Sequence, residues 1–131
     1  MAGRRVALVT VVVADYDEAI AFYTERLGFV IAEDTDLGGG KRWVVVAPGD
    51  GSAGLLLARA GDDPQRARVG DQTGGRVGFF LETDDFDRDH AAMQAAGVVF
   101  LEEPRREPYG TVVVFADLYG NLFDLIQPRH S

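Results

Sequence analysis

The chain has 131 residues, 47% of them apolar and 26% charged, and its 21 acidic against 13 basic residues leave a formal net charge of −8. That length and balance fit one globular domain and exclude a disordered or fibrous chain. The acidic surplus argues against nucleic acid or an anionic membrane as partner, since each needs a basic face, and the lack of cysteine removes disulfides, thiolate metal sites and cysteine nucleophiles.

Met1–Arg5 carries two arginines, but no signal-peptide cleavage site follows. The longest apolar run, Val6–Ala14, is interrupted at Thr10 and falls short of the roughly 18 residues that cross a bilayer. A cytoplasmic setting is expected. That β-branched run reads as a strand. Asp15 then opens a helix, with Glu18 in the capping-box position. Tyr16, Ile20, Tyr23 and Leu27 share one helical face, and Gly28 is placed to end the helix.

The next segment, Gly38-Gly39-Gly40-Lys41-Arg42, invites a phosphate-loop reading and fails it. Thr35 stands where the first glycine belongs, and Arg42 replaces the Ser/Thr that would hold magnesium. It reads as a β-turn or flap; Lys41, the sole lysine, is the one Schiff-base candidate. Arg42–Ala47 and Leu55–Ala58 read as paired strands. Ser52 between them lacks the glycine spacing of a nucleophile elbow and reads as a turn serine.

After a polar connector, Arg59–Gly75, the pattern repeats. Val77–Thr83 is a strand, Asp85 matches Asp15, Phe86–Gly97 is a helix, Val98–Leu101 a strand, and Thr111–Ala116 pairs with Leu122–Ile126. Asp84, Asp85, Asp87 and Asp89 suit a helix N-terminus better than a calcium loop, because the helical pattern begins at once. His90 matches Ile20 and reads as a helix-face histidine, while the other histidine, His130, adjoins the C-terminus. Aligning Gly51 with Gly120 superimposes the strand pairs at an offset of 69. The chain therefore reads as a single domain, 1–131, with modules at 6–58 and 76–128 and a connector at 59–75. The expected fold is α+β: tandem βαβββ modules forming a cupped, partly open barrel-like sheet with helices outside.

Asp15–Gly28 (DYDEAIAFYTERLG), Thr83–Val98 (TDDFDRDHAAMQAAGV) and Phe115–Leu125 (FADLYGNLFDL), together with the duplication, resemble the vicinal oxygen chelate superfamily. That superfamily includes glyoxalase I, bleomycin-resistance proteins and extradiol dioxygenases. The resemblance implies a divalent metal held by one side chain from the first and one from the last strand of each module. The matching positions here are Leu8, Leu55, Gly78 and Asp124. Three of them cannot coordinate, and a one-residue slip does not help, since Ala7, Val9, Gly54, Leu56, Val77 and Phe79 are equally unable to. No cofactor is therefore expected.

Strand alternation from those positions turns Leu8, Thr10 and Val12, Gly78, Phe80 and Glu82, and Leu122, Asp124 and Ile126 into the cup, with Val112 and Val114. The duplication adds Trp43 and Val45 with Leu55 and Leu57 opposite them. Tyr109 and Arg106 are placed to close the mouth. Two inward carboxylates, Glu82 and Asp124, with Trp43 and Phe80 favour an aromatic or cationic small molecule. Two functions follow. One is a metal-free binding protein like the drug-resistance branch. The other is a glyoxalase-type lyase or isomerase, or a ring-cleaving dioxygenase, using an atypical metal site or the carboxylates Glu82 and Asp124 as catalytic groups. The resemblance also implies a homodimer.

Overall fold

A computed structural model of the chain describes residues 3–129 and forms two compact units, Met1–Val69 and Gly70–Ser131. His130 lies outside the described residues, as does the start of Met1–Arg5. Among the described residues no helix is long and apolar enough to cross a membrane.

In the first unit, β1 (Leu8–Val13) leads to α1 (Tyr16–Ala21), which continues as a π turn over Phe22–Arg26. Then come β2 (Val30–Gly38), β3 (Lys41–Ala47), β4 (Gly54–Arg59) and the short α2 (Asp63–Arg66) inside the connector. The sheet order is β1-β4-β3-β2, with β1 parallel to β4 and the other pairs antiparallel. Asp15 caps α1 as expected, its carboxylate accepting the Glu18 N–H at 2.8 Å, and Gly28 leaves the helix at φ +73°. The π turn changes which residues the helix buries. Its wider turn carries Phe22 and Tyr23 together onto the sheet with Ala19, while Ile20 and Leu27 are only half-buried. Beneath them lie Val11, Val13, Val44, Val46 and Leu57.

Strand β2, which the sequence pattern does not single out, is a wholly exposed edge with irregular register at Ile31/Glu33 and Asp36/Gly38. Its acidic side chains and broken register discourage edge-to-edge pairing. Its hairpin to β3 turns through Gly38, Gly39 and Gly40, all at positive φ, which only glycine adopts freely. The segment is thus a turn.

The second unit repeats the order with β5 (Val77–Glu82), α3 (Phe86–Ala95), β6 (Val99–Phe100), β7 (Arg105–Glu107), β8 (Gly110–Ala116) and β9 (Leu122–Pro128). The path is β5-β9-β8-β6, with β7 also on β8 and β5 parallel to β9. Both units are therefore βαβββ, the second with the short β7 added on β8, and the fold is α+β. Asp85 caps α3, accepting the Arg88 N–H at 3.1 Å, which accounts for the acidic cluster without an ion. Aromatic rings cross the helix side of this sheet. Phe79 stacks on Phe123 at 4.7 Å, Phe123 on Phe115 at 5.0 Å, and Phe100 and His90 continue the row to Phe86. His90 is thus a packed helix-face residue. The β8–β9 turn is tied by buried Asp117, whose Oδ1 accepts the backbone N–H groups of Tyr119, Gly120 and Asn121 at 2.9–3.0 Å.

Candidate functional site

Each sheet has a face away from its helix, and register assigns the side chains to it. In the second unit Asp124 lies beside Phe80 on β5 and Val114 on β8, with Glu82, Ile126 and Val112 on the same face. The hairpin pairs Ala116 with Leu122, as the sequence implies. Phe80 is 67% exposed, and Glu82, the last residue of β5, is exposed beside Ile126. Gly78 lies where β5 bulges against β9, and a side chain there would meet Thr73 Cγ2.

Asp124 is the chemically distinctive residue. Its Oδ1 is buried and has no hydrogen-bond partner, and burial pushes its pKa up. The Arg105 charge works against that rise and the Glu102 charge adds to it. Arg105 is itself fixed: its Nε donates to Glu102 at 3.0 and 3.1 Å and its Nη1 to Glu107 at 3.2 Å. Glu102 Oε2 also accepts the Val114 N–H at 3.0 Å, joining this network to the strand that carries Asp124's neighbour. Glu102, with Tyr109 second, holds the Arg105 guanidinium charged. Tyr109 is exposed at the β7–β8 turn. Asp124 is thus a half-buried carboxylate with one orphaned oxygen set among apolar side chains, an acceptor that the protein chain itself leaves unused.

Arg105 and Glu102 do not stand out in the sequence; Arg106 does, and the structure exchanges the roles. Arg105 pairs with Val112 and shares Asp124's face, whereas Arg106 pairs with Thr111 and lines a separate cleft with Asp87 and Arg129. A signal exists in retrospect, because one residue of register decides which arginine turns toward Asp124.

In the first unit Trp43 and Val45 share a face with Leu56, Leu8, Thr10 and Val12. The expectation that Leu55 and Leu57 face Trp43 and Val45 is corrected. Val45 is opposite Leu56, while Leu55 and Leu57 pair with Val46 and Val44 on the helix side, where Leu57 is fully buried. Leu8 stands beside Gly54, and a Cβ on Gly54 would meet Val45 Cγ1 at 2.8 Å and Leu8 Cδ2 at 3.0 Å. Methyl groups fill this position. The superfamily's divalent metal does not fit the donors present: Leu8, Gly78 and Leu56, which register makes the counterpart of Asp124, offer none, and among the described residues no three His, Asp or Glu side chains gather.

A duplicated βαβββ unit, each sheet leaving one face free of its helix, is the architecture of one class. The chain belongs to the glyoxalase/bleomycin resistance protein/dioxygenase superfamily, whose family model matches residues 5–125. It is similar to an uncharacterised protein of Shewanella frigidimarina (strain NCIMB 400), 53% identical over 121 residues, 91% of this chain and 90% of that one. Among solved structures it is similar to UcmS2 (35% identity, TM-score 0.81, covering 95% of this chain and 98% of that one). It is also similar to TnmS3, an antibiotic binding protein from Streptomyces sp. CB03234 (34% identity, TM-score 0.77, covering 98% and 99%).

Proposed function

We propose that this chain is a small-molecule-binding member of its superfamily that takes an aromatic ligand bearing a hydrogen-bond donor or cationic group, without a metal. The observation that carries the reading is the buried, unpartnered Oδ1 of Asp124 beside exposed Phe80. Phe80 supplies a ring face for stacking, and Asp124 accepts the ligand's donor; Glu82 on the same face adds negative charge. Leu8, Thr10, Trp43 and Val45 give the first sheet an apolar surface of the same kind. The likeness to an antibiotic binding protein supports a binding role, and the donor-free side chains of Leu8, Leu56 and Gly78 support the absence of a metal. The homodimer implied by the family resemblance belongs to the same proposal.

A second reading rests on the same carboxyl. With its pKa raised by burial, Asp124 suits a general base. Glu82, its expected catalytic companion, stands exposed at the end of its strand, which favours binding over catalysis.

The test is calorimetric titration of chelator-treated protein with aromatic antibiotics that carry an amine. Saturable binding that Asp124→Asn weakens about tenfold or more, the worth of one charge-assisted hydrogen bond, is the expected result. Failure of every compound to bind, or binding indifferent to that substitution, defeats the proposal. Turnover of a bound compound that Asp124→Asn abolishes replaces it with the catalytic reading.

A further inference from the structure

The ladder between β3 and β4 ends at Val44 and Leu57, yet β3 begins earlier, at Lys41, and β4 runs on to Arg59. A cleft of about 650 Å³ in the first unit is lined by these strand ends together with Tyr16 and Gln65. Its polar side chains sort by role. Arg42 is neutralised, its guanidinium paired with Asp17 and Asp34 at 2.8 Å each. Arg59 is not: its guanidinium lies 5.2 Å from the Tyr16 ring centroid, and among the described residues it has no acidic partner. Lys41, on the opposite strand end, has none either. Gln65 Oε1 accepts the Gly61 N–H at 2.8 Å, which leaves its amide NH₂ as unused donors. The Tyr16 hydroxyl already accepts the Arg42 N–H at 3.1 Å.

The side-chain groups left over in the cleft are therefore donors, two of them cationic, on a chain whose net charge is −8. Arg59 is also held in place. The Tyr16 ring packs against its guanidinium, and Gly40, having no side chain, leaves room for Nη2 at the glycine turn. A preset cation costs little ordering when an anion binds. Trp43, 37% exposed, borders the same cleft where the two strand ends part.

We propose that this cleft binds a planar aromatic carboxylate, its carboxylate taken by Arg59, Lys41 and the Gln65 amide and its ring resting on Trp43. The donor set rejects a cationic ligand, so the site is chemically opposite to the Asp124 face of the second unit and does not depend on that reading. The experiment is calorimetric titration of the full chain with 2-naphthoate and with its neutral analogue 2-naphthamide. The acid should bind one per chain and about tenfold or more tighter than the amide, with affinity falling as salt rises. Arg59→Gln and Lys41→Gln should each weaken the acid by about tenfold while leaving binding of the amide unchanged and the protein folded by circular dichroism, and Asp124→Asn should move neither ligand. No binding of the acid overturns the proposal, as does equal binding of acid and amide or indifference to both cation substitutions. Loss of naphthoate binding in Asp124→Asn would instead assign the anion to the second unit.

Discussion

Asp124→Asn should make this protein more stable near neutral pH, although it alters the central side chain of the proposed site. The native carboxyl has its pKa raised by burial, so the folded state holds this proton more tightly than the unfolded chain. For such a group stability is greatest below the unfolded pKa, falls as pH rises through the interval up to the folded pKa, and stays reduced above it. At pH 7 the folded protein carries a half-buried carboxylate with one oxygen unsatisfied. An unsatisfied buried acceptor costs about 1–3 kcal/mol, more when charged. Asparagine keeps the shape and the orphaned oxygen but removes the charge, so relief at the lower end, on the order of 1 kcal/mol, is expected. Arg105 loses nothing essential, because Glu102 and Glu107 still flank it. For a chain of this size 1 kcal/mol corresponds to roughly 3–5 °C in Tm. Scanning calorimetry at pH 7 should show that rise, and at pH 3 it should vanish, since the wild-type carboxyl is then protonated. A lower Tm for Asp124→Asn at pH 7 would refute the reasoning, because it would mean that the carboxylate is satisfied in the folded protein.

Two further substitutions test the scaffold. Phe115 is fully buried at the centre of the aromatic row, so Phe115→Ala should cost about 3–5 kcal/mol in a urea titration, with unchanged dependence on denaturant concentration. Asp117→Ala takes the side-chain acceptor from the Tyr119 and Asn121 N–H groups of the β8–β9 turn, while the Gly120 N–H keeps the Asp117 carbonyl, and should cost on the order of 2 kcal/mol; faster amide exchange at Tyr119 and Asn121 than elsewhere in β8 and β9 checks that the loss is local.

The duplicated fold was legible because its signals are local. An aspartate cap, a helical stripe and two alternating strands recur in the same order, and each is a property of a few neighbouring residues. What escaped depends on register between segments. Counting from the capping aspartates makes Thr10 the counterpart of Phe80; Thr10 lies beside Leu56 and Phe80 beside Asp124. Leu56 is thus the partner of Asp124, one residue from the alignment through Gly51 and Gly120, and side chains of period two convert that slip into the wrong face for Leu55 and Leu57. The slip does not alter the donor chemistry, because Gly54, Leu55 and Leu56 put glycine or leucine at either parity. Strand β7 was hidden for a different reason. Arg105–Glu107 is charged and flanked by Pro104 and Pro108, so nothing in it resembles a strand, and it is held on β8 by ladder pairing and by the Glu102 contacts. The π turn was equally invisible, since Phe22 and Tyr23 sit within an ordinary helical pattern.

The parallel pairing of first and last strands has a consequence for how each unit assembles. β1 pairs with β4, and β5 with β9, across more than forty residues, whereas β2–β3 and β8–β9 are short hairpins. Distant pairing must overcome a larger chain-closure entropy, so the hairpins form early and the opening strand of each unit docks last. On a ribosome β1 and β5 emerge first and wait longest, with apolar Val11 and Phe79 uncovered until their partners have been made. A strand that waits at a sheet edge can also dock onto another copy's hairpin. Exchange of the opening strand between two nascent chains is thus the assembly error this topology most readily permits.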